Sequence, residues 1–442
     1  MKILFISLGC DKNLVDTEEM LGILQENRDI SFTDDEEEAD VIIINTCCFV
    51  NDAKEESINT IIDMAHYRTE GKCRSLIVVG CLAQRYKTEI IKEIPEVDAV
   101  IGTASTEAIL DIVEKLNKDN EKIELYDSLD KPATADKKRV ITTGGHYAFL
   151  KIAEGCNKCC SYCVIPSIRG KYRSVPIEQL VKKAGELAES GVKELILVAQ
   201  ETTMYGVDIY NKKMLPDLLN KLCDIRGIYQ IRILYCYPEE ITEELIQVIK
   251  KQDKICKYLD IPIQHASDSI LKAMKRRTTN AQLRDIICRL REEIPDIILR
   301  TTLISGFPGE TEKEHSELIK FVKQMRFDRL GVFVYSPEEG TPAAEMDNQV
   351  PEEIKEERRN ELMEIQQEIA FELSEDRIGQ EMTVMIEGKI VDEDAYIGRT
   401  YMDTPGVDGN IFITTEEELV TGDFVKVVVT GAAGYDLIGE IV

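Results

Sequence analysis

The sequence predicts an α/β protein with three folded regions, and three observations support that prediction. Two long stretches alternate short apolar runs with polar segments of helical spacing, a pattern typical of parallel sheets covered by helices. The last stretch changes to short β-like runs punctuated by Gly and Asp, which predict a small antiparallel β barrel. A length of 442 residues also agrees with about three domains.

The N-terminal region, residues 1–118, has four apolar runs separated by helical-looking stretches. The runs are KILFISL, VIIIN, SLIVV and DAVIG. They predict a parallel α/β sheet domain, in which strands and covering helices alternate along the chain. The mostly polar stretch that follows, up to about Gly145, is predicted to be a linker.

The middle region, residues 142–350, has six strand candidates, each followed by a loop and mostly by a helix. They are YAFLKIA, KELILVA, YQIRIL, KYLDI, DIILRTTLI and RLGVFVY. Because crossovers between parallel strands are right-handed, this series predicts an incomplete (β/α)6 TIM-like barrel.

The C-terminal part of the chain has two sections. Residues 351–379 are highly charged, with apolar residues at helical spacing, and predict a connecting helix. Residues 380–442 contain the β-like runs EMTVMIEG, NIFITT, DFVKVVVTG and YDLIGEIV, which predict the small antiparallel barrel.

Composition narrows the class of protein. The net charge of −28 repels nucleic acid at long range and attracts cationic partners. No apolar run approaches the ~18 residues of a membrane span, and the first run fits a buried strand better than a signal peptide. We therefore expect a cytoplasmic protein without a membrane partner. Thirteen cysteines, an odd number, favour metal binding or redox chemistry over a disulfide framework.

The most informative motif is a CxxxCxxC pattern formed by Cys156, Cys160 and Cys163. Thiolates hold iron–sulfur clusters, and three ligands leave one iron of a 4Fe–4S cluster open. Structural zinc is the first alternative, but zinc sites separate their two CxxC pairs, whereas here the pairs abut. An electron-transfer ferredoxin is the second, but its pattern needs a later Cys-Pro, and no Cys in this chain precedes Pro. Cys159 is then a spare cysteine.

The position of this motif also favours catalysis. It follows the first predicted strand of the middle barrel, and active sites of (β/α) barrels lie on loops at the carboxyl ends of strands. The five later strands end in polar or turn-forming segments as well, at 200–206, 235–238, 264–267, 305–310 and 335–342. We expect these segments to converge on one face.

A second cysteine set lies near the N-terminus. Cys10, Cys47 and Cys81 each follow an apolar run directly, and parallel neighbours recur about every 30 residues. Ligands bind at the carboxyl edge of open parallel sheets, so three thiols there would suit a second cluster. The sequence pattern alone supports equally the alternative that these are small buried residues.

The segment CNKCCSYC followed by VIPSIRGKYRS resembles the radical S-adenosylmethionine (SAM) signature of the methylthiotransferases. The resemblance implies that Cys156, Cys160 and Cys163 are the catalytic cluster ligands, with SAM bound at the open iron. It also implies that a small set of residues lies near the bound SAM. This set comprises Tyr162, Glu201, Thr202, Gly306 and Gly309.

The resemblance covers essentially the whole chain. SLGCDKNLVDTE, NTCCFV and VVGCLAQRY are similar to the N-terminal domain of this family, which implies a second 4Fe–4S cluster held by Cys10, Cys47 and Cys81. The frame NTC favours Cys47 over its neighbour Cys48. The last region resembles a TRAM domain, and the middle one the radical SAM barrel.

SLGCDKNLVD and IPSIRGKYRS resemble the branch of the family that modifies a ribosomal protein. That implies β-methylthiolation of an aspartate in a basic small-subunit ribosomal protein, an external electron donor such as a flavodoxin or ferredoxin, and only indirect contact with nucleic acid. Two alternatives stay open: a methylthiotransferase acting on a transfer-RNA adenosine, and a non-catalytic iron–sulfur protein. Residues 380–442 hold three basic and thirteen acidic residues, a net charge of −10, which favours a basic protein over RNA.

Overall fold

The computed structural model describes residues 1–119, 121–391 and 393–442. Its N-terminal region alternates strands and helices along the chain, as the sequence predicts. The elements are β1 Lys2–Ser7, α1 Asp11–Gln25, β2 Ser31–Thr33, β3 Val41–Thr46, α2 Asn51–Thr69, β4 Ser75–Gly80, α3 Cys81–Tyr86, α4 Thr88–Glu93, β5 Ala99–Ile101, α5 Ile109–Lys118 and β6 Ile123–Leu125.

These strands form one six-stranded sheet in the order β2-β1-β3-β4-β5-β6, with every pair parallel. The four predicted runs correspond to β1, β3, β4 and β5. The edge strands β2 and β6 are not predicted, and β6 lies within the stretch expected to be a linker. Each has only three residues, so pairing with a neighbour, rather than a local apolar pattern, defines it.

The middle region contains all six predicted strands and several additional short elements. The elements are β7 Tyr147–Lys151, β8 Ala153–Glu154, α6 Ile165–Arg169, β9 Arg173–Ser174, α7 Ile177–Glu189, β10 Glu194–Val198, α8 Val207–Tyr210, α9 Leu215–Cys223, β11 Gln230–Ile233, α10 Glu243–Lys251, β12 Ile255–Asp260, α11 Asp268–Ala273, α12 Asn280–Glu293, β13 Ile298–Ser305, α13 Glu312–Met325 and β14 Arg329–Val334.

The six long strands of this region form a parallel sheet in the order β14-β13-β12-β11-β10-β7, and β7 does not pair with β14. The prediction of an incomplete (β/α)6 barrel is therefore confirmed. The short strands β8 and β9 pair with each other in an antiparallel ladder. This ladder closes the base of the loop that carries the CxxxCxxC motif.

A long helix and a closed β barrel complete the chain. The elements are α14 Glu352–Glu375, β15 Glu381–Lys389, β16 Ala395–Arg399, β17 Ile411–Thr414, β18 Phe424–Ala433 and β19 Asp436–Ile441. The strands close in the order β15-β16-β17-β19-β18, so the prediction of a small barrel is confirmed, with one strand, β16, that the sequence did not reveal. The strand pairs are antiparallel except β17 and β19, which run parallel, so the predicted antiparallel pairing does not hold at that pair. Within the described residues, 1–119, 121–391 and 393–442, no helix is long and apolar enough to cross a membrane.

The C-terminal barrel packs against the interior of the middle barrel. Phe149 and Tyr258 of the middle barrel share one apolar core with Met382 of the C-terminal barrel. A buried ion network reinforces this contact, because Glu194 accepts hydrogen bonds from the guanidinium groups of both Arg232, at 2.9 Å, and Arg399. Because a buried charge is costly without a paired partner, this network fixes the position of the C-terminal barrel against the middle barrel.

Candidate functional site

The loop that carries the CxxxCxxC motif begins at a glycine that no other residue replaces without strain. Gly155 has a φ of +76°, and a Cβ there would lie 2.2 Å from the backbone oxygen of Lys171. This close approach brings the two ends of the loop together, and the Cys156 N–H donates to the Gly170 carbonyl at 3.1 Å. The first motif cysteine is thereby anchored next to the β8–β9 ladder.

The three motif thiols lie in a mostly buried, hydrogen-bonding environment. The backbone N–H of Lys158 donates to the Cys156 sulfur at 3.4 Å, and that of Ile165 donates to the Cys163 sulfur at 3.5 Å. The Tyr237 hydroxyl lies 3.7 Å from the Cys160 sulfur. Hydrogen bonds of this kind stabilise sulfur ligands and tune the potential of a cluster.

Burial raises the pKa of the Cys156 thiol to about 11 and that of Cys163 to about 12. Both thiols are therefore protonated at neutral pH in the free protein, and metal coordination has to displace the protons. The neighbouring Cys159 differs from both: it is exposed, and its thiol donates to the Asn157 carbonyl at 3.8 Å.

The second cysteine set lies at the carboxyl edge of the N-terminal sheet. Cys10, Cys47 and Cys81 follow β1, β3 and β4, which are three consecutive strands in the sheet order. Gly9 has a φ of +90°, and a Cβ there would lie 2.6 Å from the Cβ of Cys47. The loop after β1 and the loop after β3 thus touch, and the structure brings these predicted residues together.

The environment of these thiols differs from one cysteine to the next. Burial raises the pKa of Cys81 to about 12, although the Arg169 guanidinium, with Nη2 at 3.3 Å from the sulfur, opposes that rise. Burial also raises the pKa of Cys47, and the adjacent Cys10 raises it further. Cys48 is fully buried within the apolar core of the N-terminal sheet, whereas the Cys47 sulfur faces Gly9.

The carboxyl edge of the N-terminal sheet faces the mouth of the middle barrel. Arg169, on α6 just after the motif loop, donates to the Asp16 carboxylate of α1 at 2.6 Å. The Tyr235 hydroxyl, at the end of β11, lies 3.1 Å from the Asp11 carboxylate, and the Lys12 ammonium lies 3.4 Å from the centre of the Tyr235 ring. Asp11 and Lys12 directly follow Cys10, so the two cysteine sets border one interface.

Of the residues expected near SAM, Glu201 and Thr202 lie just after β10. Glu201 is 1% exposed, and burial raises the pKa of its carboxyl to about 7. Its Oε1 accepts a hydrogen bond from the Thr203 N–H at 3.0 Å, while within the described part of the chain its Oε2 accepts none. The Thr202 hydroxyl donates to the Leu234 carbonyl at 2.5 Å, so this group already has a structural partner.

The other three expected residues lie on neighbouring loops. Gly306 and Gly309 follow β13, where the Gly306 N–H donates to the Glu310 carboxylate at 2.9 Å. Tyr162 lies within the motif loop and packs edge to face against Phe307, with 6.5 Å between ring centroids. The loops after β7 and β13 therefore meet at this point.

Two charged residues near the motif loop were not anticipated. The Lys158 ammonium lies 3.9 Å from the Glu201 Oε2 and 2.5 Å from Glu240. Arg276 is 7% exposed, its guanidinium lies 4.1 Å from the centre of the Tyr237 ring, and in the described ranges its Nε and Nη1 have no hydrogen-bond partner. Lys158 could have been considered because it lies within the motif. Arg276 lies more than a hundred residues away, and no local pattern links it to the motif.

Among the described side chains, no group of three or more His, Cys, Asp or Glu residues converges closely enough to hold a single metal ion. A 4Fe–4S cluster makes a different demand, because each cysteine binds its own iron and the sulfurs need not meet at one point. Both sets of three thiols fit that demand: the motif set shares one loop that begins at Gly155, and the second set lies at the ends of three neighbouring strands, where Gly9 lies against Cys47.

Comparisons with known families divide the chain into three matched segments. Residues 2–102 match the family described as uncharacterized protein family UPF0004, residues 150–322 match the radical SAM superfamily, and residues 378–442 match the TRAM domain. Among solved structures, the radical SAM methyltransferase TsrM from Kitasatospora setae, with cobalamin and a [4Fe-4S] cluster bound, is similar with a TM-score of 0.57 at 12% identity. The alignment covers 77% of this chain and 73% of that one, and it supports the fold alone.

Curated relatives match over the full length of the chain. The ribosomal protein uS12 methylthiotransferase RimO of Lachnoclostridium phytofermentans is 61% identical over 99% of both chains. RimO of Acetivibrio thermocellus is 51% identical over 100% of this chain and 98% of the relative. The chain therefore belongs to the RimO family of radical SAM methylthiotransferases.

Proposed function

We propose that this enzyme inserts sulfur and a methyl group at the β-carbon of an aspartate in ribosomal protein uS12. The observation that carries the proposal is the meeting of two thiol sets at one interface, in a chain whose relatives are named as uS12 methylthiotransferases. As a radical SAM methylthiotransferase the enzyme uses SAM and two 4Fe–4S clusters.

In this proposal Cys156, Cys160 and Cys163 hold the cluster at which SAM binds. Three features of the chain support the assignment: the thiols share one loop at the barrel mouth, Gly155 fixes the start of that loop, and two backbone N–H groups donate to the sulfurs. When bound, SAM and the reduced cluster supply an organic radical able to abstract an unactivated hydrogen.

Cys10, Cys47 and Cys81 are proposed to hold the second cluster, which handles the sulfur to be transferred. Cys47 is preferred to Cys48 because its sulfur faces the loop of Cys10, 2.9 Å from where a Cβ at Gly9 would stand. The Arg169 guanidinium beside Cys81 offsets part of the negative charge that a thiolate cluster would bring to this buried edge.

Residues at the ends of the barrel strands are proposed to bind SAM. SAM carries an ammonium and a carboxylate; in the described structure the site offers a Glu201 oxygen that accepts no hydrogen bond, with the Lys158 ammonium 3.9 Å away, and two Arg276 donors without a hydrogen-bond partner. Because buried polar atoms normally have partners, these free positions suit a zwitterionic ligand. Gly309 has open space beside its backbone where a ligand could lie, whereas at Gly306 the Lys355 side chain fills that space, 2.2 Å from where a Cβ would stand. Tyr162, within the motif loop, packs against Phe307. Thr202 holds the end of β11 through its hydroxyl.

The C-terminal barrel supports a protein substrate rather than RNA. Of its three cations, Arg399 is 2% exposed and paired with Glu194 and Glu387, so it offers nothing to phosphates. Acidic residues far outnumber the other two cations, and although Glu387, Asp403 and Asp408 are themselves paired with arginines, the exposed residues 416–418 attract a basic ribosomal protein and repel RNA. The proposal includes a cytoplasmic location and an external electron donor such as a flavodoxin or ferredoxin.

Mass spectrometry tests the substrate directly. Ribosomal proteins and transfer RNA from cells with and without this chain are compared, and uS12 should gain one methylthio group on an aspartate only when the chain is present. A charge reversal, Glu416→Lys/Glu417→Lys/Glu418→Lys, on an exposed loop of the C-terminal barrel should slow the modification, more so at low salt. A methylthiolated adenosine in transfer RNA with unmodified uS12 would replace this proposal with the transfer-RNA alternative.

A further inference from the structure

Next to the motif loop lies a small patch of exposed cations on an otherwise acidic chain. Lys272, Lys275 and Arg277 are all exposed, on α11 and the turn that follows it. In the described ranges none of the three lies within ion-pair distance of a carboxylate, although the chain has 82 acidic and only 54 basic residues. The nearby Lys158 and Lys213 are both paired with Glu240, whereas Lys171, at the other end of the motif loop, is a single exposed cation without a carboxylate partner in the described ranges. We call these three residues the basic patch.

The turn that carries the basic patch is held by the backbone. The Arg276 N–H donates to the Leu271 carbonyl at 2.8 Å, and Lys275, at a φ of +57°, donates its N–H to the Lys272 carbonyl at 3.0 Å. Such bonds close a helix C-terminus on a left-handed residue, so the patch is a built turn rather than a loose loop.

A short chain of contacts links the basic patch to a cysteine of the motif. Between Lys275 and Arg277, the buried Arg276 turns inward and lies 4.1 Å from the centre of the Tyr237 ring, and its Nη2 donates to the Pro262 carbonyl at 2.8 Å. The Tyr237 hydroxyl in turn lies 3.7 Å from the sulfur of Cys160. A cavity of about 220 Å³ separates the patch from the motif loop. The surface around the patch is therefore two side chains away from a proposed cluster ligand.

We propose that the basic patch is the docking surface for an acidic, low-potential electron-carrier protein, an inference that rests on the proposed cluster at Cys156, Cys160 and Cys163. One electron leaves the carrier and enters that cluster through the Arg276–Tyr237 contact. The carrier is oxidised by one electron, the cluster is reduced by one, and no bond forms or breaks. Electron-transfer encounters bury small interfaces, below about 1,200 Å², so a small patch of this kind suits such a partner.

The positive charge of the basic patch favours an acidic carrier over the two other macromolecules, a basic ribosomal protein and RNA. A basic ribosomal protein is repelled by Lys272, Lys275 and Arg277 and attracted to the acidic C-terminal barrel instead. RNA binding relies on several Lys and Arg contacts to phosphates, and the patch offers three within an acidic surface. An acidic carrier is repelled by the acidic surface elsewhere and is steered toward the three cations that cluster beside the motif loop.

The test uses the cluster-loaded enzyme and a purified acidic flavodoxin in its hydroquinone form. Lys275→Glu/Arg277→Glu reverses the charge of the basic patch, and Lys115→Glu/Lys118→Glu makes the same change of charge on exposed residues of α5 in the N-terminal region. Anaerobic calorimetry measures binding, and stopped-flow absorbance measures cluster reduction. Because charge steering changes association rates by 10-fold or more, the patch variant should lose about tenfold or more in rate and affinity at low salt. The α5 variant should match the wild type, and the wild-type rate should fall as salt rises.

Photoreduction by a small neutral deazaflavin radical separates docking from damage to the cluster. The patch variant should be reduced by the deazaflavin as fast as the wild type. Equal flavodoxin rates in the patch and α5 variants would overturn the proposal, as would slow reduction of the patch variant by both reductants. Displacement of flavodoxin by transfer RNA that needs the same residues would assign the patch to nucleic acid instead. A wild type without any reducible cluster would contradict the proposed function itself, which is a distinct result.

Discussion

Arg169 connects the N-terminal sheet to the middle barrel, and its removal should loosen that interface. The side chain is 2% exposed and donates to the Asp16 carboxylate at 2.6 Å and to the Glu154 carboxylate at 3.3 Å. It also donates to Asn13 and, at 3.3 Å, to the sulfur of Cys81. The substitution Arg169→Met keeps much of the apolar stem and removes all of these bonds.

The expected magnitude follows from the charges left behind. Removing one partner of a buried ion pair costs about 3–5 kcal/mol, because the other charge stays buried and unpaired. Here Asp16 and Glu154 both keep Lys151 as a partner, so the lower end, about 3 kcal/mol, is the better figure. Each 1.4 kcal/mol is about a factor of ten in an equilibrium constant, so local opening of α1 should become about a hundredfold more frequent.

Hydrogen exchange of the α1 amides measures that opening directly. Amides of Asp11–Gln25 should lose about two orders of magnitude of protection in Arg169→Met, while those of α9, far along the chain in the barrel, should keep theirs. Arg226→Met, which removes an exposed arginine, is the matched control and should leave α1 unchanged. Equal protection of α1 in the two variants would refute the view that Arg169 joins the two domains.

Three further predictions concern the two cysteine sets and the buried carboxyl of Glu201. Gly155→Ala places a Cβ 2.2 Å from the Lys171 backbone oxygen and should lower the iron content of the motif cluster only. Gly9→Ala places a Cβ 2.6 Å from the Cβ of Cys47 and should lower the iron content of the second cluster only. Gly185→Ala, in an open helical position, should leave iron unchanged and stabilise the fold by up to about 1 kcal/mol; loss of iron in all three would point to general misfolding instead. Burial raises the pKa of Glu201 from 4.5 to about 7, so the folded state binds the carboxyl proton more tightly than the unfolded chain does. This tighter binding adds to the free energy of unfolding below pH 4.5, and the added free energy is lost as the pH rises to 7. In SAM-free protein, Glu201→Gln should remove this part of the pH dependence of the thermal midpoint, and identical pH profiles for variant and wild type would contradict the assigned pKa. Finally, Cys81→Ala should still cleave SAM to 5′-deoxyadenosine under reducing conditions and should transfer no sulfur; a folded variant that keeps the first cluster but loses cleavage would show that the division of labour is wrong.

The sequence predicted those strands that are apolar runs of several residues. It predicted those site residues that lie close together in the chain. Six barrel strands and four sheet strands are apolar runs of several residues, and each was recognisable on its own. The CxxxCxxC motif was recognisable because a single loop carries all three cysteines. Cys10, Cys47 and Cys81 needed the strand-end argument, since only the topology β1-β3-β4 makes them neighbours.

The features that sequence reasoning missed depend on partners distant in the chain. The edge strand β6 has three residues and is defined by its pairing with β5, so no local apolar pattern predicted it. The barrel strand β16 is similarly defined by its neighbours β15 and β17. Arg276 and Arg169 acquire their roles from contacts with Tyr237 and Cys81, and neither contact has a signature in the order of residues.

Iron analysis together with Mössbauer spectroscopy of anaerobically purified protein tests most directly the claim that two separate thiol sets hold two clusters. The wild type should hold about eight irons per chain, four for each cluster. Cys156→Ala/Cys160→Ala/Cys163→Ala should hold about four, with the spectrum of one intact 4Fe–4S cluster, and Cys10→Ala/Cys47→Ala/Cys81→Ala should hold the other four. Loss of both clusters from either folded variant, or zinc in place of iron in the wild type, would contradict the account.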